Sequence, residues 1–169
     1  MNAVAAPVPV DAVTPVRISR ERSGDVAAID ALVLGAFGPG RFAKTAERLR
    51  EAAALAAGFC AFEGERLIGS VRLWSITVGA ARSVFLGPIA VDVASRRGGL
   101  GADLVQACID EAKAMKLDGE LLVGDPPYFS RFGFLPAPDA VLSGPVDRRR
   151  VMWLPITEVA PVGAVRPVA

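Results

Sequence analysis

The chain contains no histidine. That excludes catalytic triads that pass a proton through imidazole, and it removes the commonest zinc ligand. Cysteine is scarce: Cys60 and Cys108 stand in apolar segments without C-x-x-C spacing. They read as reduced core residues, not as a redox pair or metal ligands. Neither sign of charge is in excess, with 19 Lys+Arg against 18 Asp+Glu. No global field therefore points to nucleic acid or to an anionic membrane. Long hydrophobic runs are missing as well. The longest uncharged apolar stretch, Ala52 to Phe62, lies between Glu51 and Glu63 and falls well short of the roughly 20 residues a spanning helix needs. The first 15 residues lack a basic segment and their apolar runs are interrupted by proline, so no export signal is expected and the cytoplasm is the default location. Gly-Lys-Ser and Gly-Lys-Thr are both absent, which excludes a nucleotide-hydrolysing P-loop.

What is present suits a packed domain. The chain has 169 residues and is 52% apolar, enough for one domain with a real core. Residues 1–15 read as a flexible Pro/Ala/Val arm, 16–158 as a single domain and 159–169 as a frayed tail. Val16 to Ile18 suits a first strand. Helical spacing of Val26, Ile29, Val33 and Phe37 after Ser23 predicts a helix that stops at Gly38-Pro39-Gly40. A second helix is expected from about Phe42 to Ala57, with Phe42, Ala46, Leu49 and Ala53 buried and Lys44, Glu47, Arg48, Arg50 and Glu51 in water. Strands follow over Phe59–Phe62, Leu67–Val78 and Ser83–Val91. The last contains Gly87-Pro88, a pair that favours a bulge because proline cannot donate to a ladder. The next helix puts Leu100, Leu104, Cys108, Ala112 and Met115 on one face. Gly119–Val123, a helical turn over Tyr128–Phe132 and a last strand over Val151–Ile156 complete an α/β order, with only the strands around the central helix parallel.

The centre of this arrangement is Val84 to Lys116. An apolar strand runs into Arg96-Arg97-Gly98-Gly99-Leu100-Gly101 and then into an amphipathic helix. Unpaired N–H groups and the positive dipole end of a helix attract anions, and glycine lets the backbone close around a phosphate. Two arginines add charge-assisted donors. The stretch reads as a diphosphate cradle. G-x-G-x-x-G fails at Leu104, which leaves R-x-x-G-x-G from Arg96 to Gly101.

That pattern resembles the coenzyme A pyrophosphate loop of the GNAT superfamily of N-acetyltransferases, [QR]-x-x-G-x-[GA]. A second match follows one helix and one strand later: LLVGDPPYFSRFGF is similar to the family's Y-x-x-x-G-F segment. LGPIAV, RRGGLG and GDPPYFSRFGF together closely resemble the YhbS-like branch, and Phe37 to Glu51 looks like its second-helix region. The resemblance covers about residues 16–158. It implies a mixed sheet flanked by helices, with two central strands splayed near Leu86–Val91 and Leu121–Gly124. It implies acetyl-CoA as co-substrate, no metal, and direct attack of an amine on the thioester. The pantetheine arm would lie along Ile89, Ala90 and Val91. Arg96 opens the motif, and N–H groups of Arg97, Gly98, Gly99, Leu100, Gly101 and Ala102 would hold the pyrophosphate.

Tyr128 is the candidate proton donor to the departing thiolate. The Y-x-x-x-G-F register, however, puts Phe129 at the family's tyrosine position. Packing is the other role open to Tyr128. Arg131 either reaches a coenzyme A phosphate or pairs with Asp125. Asp92 and Asp125 suit a water-mediated base or turn formation equally, and Arg41 and Lys44 suit acceptor contact or a solvated helix face. The implied acceptor is a primary amine on a small molecule or a protein, with a homodimer compatible with the fold. A non-catalytic acyl-CoA-binding module and a transferase of longer acyl chains are the alternatives.

Overall fold

The computed structural model describes residues 13–96 and 98–169. Most of the expected arm and the cradle donor expected at Arg97 lie outside the described residues. The elements are β1 (Val16–Arg20), α1 (Val26–Phe37), α2 (Thr45–Ala52), β2 (Leu55–Glu63), β3 (Arg66–Val78), β4 (Ala81–Val91), α3 (Leu100–Ala114), β5 (Gly119–Val123), α4 (Pro126–Phe129), β6 (Leu135–Pro136), β7 (Ala140–Val141), β8 (Val151–Pro155) and β9 (Gly163–Pro167). The sheet order is β1-β2-β3-β4-β5-β8-β6, with β9 added to β3. β4 and β5 pair in parallel and α3 is the crossover between them. Their neighbours in the sheet are antiparallel. A mixed sheet flanked by helices is the architecture expected.

The helical spacing of Leu100, Leu104, Cys108 and Ala112, joined by Val105 and Ile109, seats α3 on one face of the sheet against Val71, Leu73, Val84 and Leu86. On the other face α1 inserts Ile29 and Val33 against Cys60, Phe62 and Ala90. α2 contributes Leu49 to a third cluster with Phe85, Leu121 and Trp153. Met115, expected on the buried face of α3, is exposed just beyond the helix end.

The second helix is shorter than its composition predicts. Alanines run from Ala52 to Ala57, yet the chain leaves the helix at Ala52 and is a strand by Leu55, which pairs with Trp74. Sheet pairing has overridden local helix propensity there. Glu47 is buried and Arg50 largely so, instead of facing water, while Phe42 is exposed. Residues 159–169 are not a frayed tail. β9 pairs Val165 with Val78 and Pro167 with Ile76, along the edge of β3 that β2 has already left. Val165 is buried in the same cluster as Leu49. Val151–Pro155 is therefore not the last strand.

Candidate active site

The site begins where β4 and β5 separate. They are paired from Ser83↔Gly119 to Phe85↔Leu121, and the pairing stops there. On its other side β4 loses register with β3. Leu73 opposes Leu86 and Val71 opposes Ile89, so Gly87 and Pro88 stand where one residue would. The parity of side chains switches across this bulge. Val84 and Leu86 face α3, and so do Ile89 and Val91, while Ala90 faces α1. Gly87 has φ +127°, a conformation that side chains rarely adopt. Its carbonyl accepts from Trp74 Nε1 at 2.7 Å. The bulge thus keeps its polar group satisfied without a ladder partner.

The glycine turn sits at the end of the diverging strand. Gly98 and Gly99 have φ +89° and +79°, Gly99 caps α3, and a Cβ at either would meet nothing within 4 Å. Arg96 Nε donates to Val91 O at 3.3 Å, tying the turn to β4. One cleft brings together Ile89, Ala90 and Val91 from the strand, Arg96, Gly99, Gly101 and Ala102 from the turn and helix start, and Tyr128 and Arg131 beyond β5. Two of the expected residues point elsewhere. Leu100 turns its side chain into the core, and Gly98 lies along a groove on the far side of the turn with Ala94 and Asp103. Asp92 is engaged in structure: it accepts from Arg66 Nη1 at 2.6 Å and from the N–H of Ala94 at 3.3 Å.

Tyr128 closes this cleft over the helix start, its hydroxyl 3.2 Å from where a Cβ on Gly101 would stand. The Arg131 guanidinium lies 4.9 Å over the Tyr128 ring, a cation–π contact, so Arg131 faces the tyrosine and not Asp125. The Tyr128 and Phe129 rings are edge-to-face at 5.0 Å. They divide the site, because Tyr128 lines the cleft by the turn and Phe129 lines a second chamber. Phe37 and Ile89 line both, so the two lie side by side.

The second chamber, about 360 Å³, lies between the splayed strands and α2. Arg41 and Lys44, the two candidate acceptor contacts, are in its charged wall, whereas Glu47, Arg50 and Arg150 were missed because each reads as an ordinary solvated residue. Arg41 Nη2 donates to Glu47 Oε1 at 2.6 Å and Arg50 Nη1 donates to Glu47 Oε2 at 3.2 Å. Burial, opposed by Glu47, holds the Arg50 guanidinium below its usual pKa. The i,i+3 spacing of Glu47 and Arg50 was the available signal. Lys44 also lines this chamber, as does Arg150, whose Nε donates to Gly124 O at 3.1 Å.

Away from the cleft, Glu120 on β5 is wholly buried between Val84 and Leu154. Its carboxylate oxygens have no hydrogen-bond partner among the described residues, and burial raises its pKa to about 8. Burial likewise pushes the Cys60 thiol up to about 11 and the Cys108 thiol well up. Among the described residues, no group of three or more acidic, cysteine or histidine side chains could hold a metal ion, and no helix is long and apolar enough to cross a membrane.

A splayed parallel pair, a bulge at the splay and a glycine turn opening a helix form one arrangement. The model of the Acetyltransferase (GNAT) family matches residues 26–134. The chain belongs to the GNAT acetyltransferase family. Its N-acetyltransferase relatives include YhbS of Escherichia coli K12, 34% identical over 113 residues, 65% of this chain and 68% of the relative. The crystal structure of Escherichia coli YhbS in complex with CoA superimposes with a TM-score of 0.79 at 28% identity, covering 94% of this chain and 93% of that one. A GNAT acetyltransferase from Brucella melitensis, in complex with acetyl-CoA, gives a TM-score of 0.72 over 92% and 97% of the two chains. At 24% identity that second likeness speaks to the fold alone. In this GNAT chain, as expected, the strands splay beyond Phe85 and Leu121.

Proposed function

We propose that the protein transfers an acetyl group from acetyl-CoA to a primary amine by direct attack, in one cytoplasmic domain that runs from Val16 through β9. The observation that carries the reading is the convergence of the open glycine turn, the unpaired stretch of β4 and the Tyr128 hydroxyl on one cleft. The free, buried cysteines suit a reducing compartment.

The residues fit the co-substrate. Side chains at Gly98 and Gly99 would project into open space and strain the backbone, so the turn offers bare N–H groups at the start of a 15-residue helix. We assign the pyrophosphate to the N–H groups of the turn, Gly99, Gly101 and Ala102 foremost, with Arg96 and Arg131 at the mouth. Past the end of pairing with β5, the Ile89 backbone and the Val91 N–H are the groups left to bond the amides of a pantetheine arm, the Val91 carbonyl already accepting from Arg96 Nε. Acetyl-CoA supplies an activated acyl carbon and a thiolate leaving group. The chain supplies alignment of the amine, which enters from the chamber beside α2. As the N–C bond forms, the C–S bond breaks, and Tyr128 gives a proton to sulfur. Tyr128 is the group for this step because its hydroxyl stands at the helix start while Phe129, in the family's tyrosine register, faces the acceptor chamber.

Titration calorimetry with acetyl-CoA and a free-thiol assay over a panel of amines test the proposal. Binding with amine-dependent thiol release is expected. Absence of binding would refute it.

A further inference from the structure

The chamber beside α2 carries a charge pattern that acetyl transfer to a simple amine does not call for. A cationic acceptor gains from carboxylates. This wall instead presents Arg41 and Arg50, with Lys44 and Arg150 in the same lining, against Glu47 and Asp125. Glu47 is shared between Arg41 and Arg50, so one carboxylate balances only one of two guanidiniums. Their side chains are 18% and 15% exposed, where screening by water is weak. Among the described residues, Arg41 Nε and Arg50 Nε are also buried with no hydrogen-bond acceptor. Unpaired buried donors are costly, and a binding site is where a ligand can complete them.

Position narrows the ligand further. Arg50 Nη2 lies 2.7 Å from the point where a Cβ on Gly87 would stand, and its guanidinium packs 5.2 Å from the Phe85 ring centre. Phe85 is the last residue of β4 paired to β5. Arg50 therefore sits at the bulge, beside the gap in which the amine and the thioester meet. An anionic group held there would lie next to an amine reacting in the gap. The rest of the chamber is walled by Phe37, Leu122 and Phe129, an apolar lining of small-molecule size.

We infer that the acceptor is an α-amino acid or a close analogue, its carboxylate held by Arg41 and Arg50 and its apolar side chain by Phe37 and Phe129. The inference rests on the acetyl-transfer reading above. The acceptor's ammonium loses two protons, one to solvent and one that ends on the departing sulfur. An N–C bond replaces the C–S bond, and the carboxylate is unchanged.

The test uses matched sets built on leucine, methionine and phenylalanine: the free amino acid, its amide, its decarboxylated amine and its α-aminophosphonate. Thiol release and product mass are measured for each, with acetyl-CoA calorimetry in parallel. In at least one set, kcat/KM for the free amino acid should exceed that for the amide and the decarboxylated amine by roughly tenfold or more, the scale of one lost charge-assisted hydrogen bond. Arg41→Gln and, as the conservative change, Arg50→Lys should each raise KM for that amino acid about tenfold, with circular dichroism and acetyl-CoA affinity confirming a folded enzyme. Equal rates for acid and amide would overturn the inference and leave acetyl transfer standing. So would acetyl-CoA binding without acetylation of any amino acid, or a tenfold preference for the phosphonate. Failure to bind acetyl-CoA at all would overturn the acetyl-transfer reading itself, and this inference with it.

Discussion

Two walls of one site follow opposite designs. The turn between β4 and α3 works mainly through backbone: it has two glycines at positive φ and a helix start, with Leu100 turned into the core. The wall opposite, from Phe37 to Arg50, works through side chains: two guanidiniums share one carboxylate over an apolar floor. A backbone site suits a ligand part that never varies, because peptide groups cannot be changed by substitution. A side-chain site suits the part by which one enzyme differs from its relatives. On the proposed reaction the fixed half and the variable half would be separated in the architecture, with Tyr128 lining one chamber and Phe129 the other.

Breaking one wall should leave the other working. The largest effect is expected from Gly99→Glu, which puts a negative side chain, strained at φ +79°, into the cradle. Acetyl-CoA affinity should fall at least a hundredfold by calorimetry while the fold persists, and unchanged affinity would remove the cradle assignment. Glu47→Gln tests the other wall. It leaves two largely buried guanidiniums without a countercharge and should cost about 3 kcal/mol, a fall in Tm of roughly 10 °C. Acetyl-CoA affinity should hold; a parallel loss would mean the walls are not independent.

Tyr128→Phe sharpens the comparison between the two chambers. It should lower kcat about a hundredfold with the Kd for acetyl-CoA nearly unchanged, and an unaltered kcat would leave Tyr128 a packing residue. The smallest effect on activity is expected from Glu120→Gln, outside both walls. Burial raises the Glu120 pKa to about 8, above its unfolded value near 4.3. The native state therefore holds a proton that the unfolded chain releases, so this residue's contribution is most favourable below about pH 4 and is lost as pH rises through 8. Glu120→Gln should flatten the decline of Tm between pH 5 and 8 and leave kcat alone. A variant as pH-sensitive as the parent would place the titrating group elsewhere.

The turn was legible because everything that makes it is local: strand, glycines and helix start follow one another within Val84–Lys116. Gly87-Pro88 announced the bulge for the same reason, since neither residue supports a regular ladder. What held the bulge was not legible. Trp74, 13 residues away in sequence, supplies the hydrogen bond to Gly87. Alanine-rich Ala52–Ala57 misled because a strand partner at Trp74 outweighs helix preference. The C-terminal strand was missed because the edge it covers belongs to β3, far earlier in the chain.

The charged wall shows the division most plainly. Glu47 and Arg50 look like any solvated helix surface in sequence, and only docking of α2 beside the bulge buries them and brings Arg50 against Gly87. The linear order of residues determined the anion-binding turn, the helix behind it and the family, because backbone conformation and short-range spacing are encoded within a few neighbours. Tertiary structure alone decided which aromatic ring faces which chamber and which charges lose their water, because burial is set by segments that meet only when the sheet closes around them.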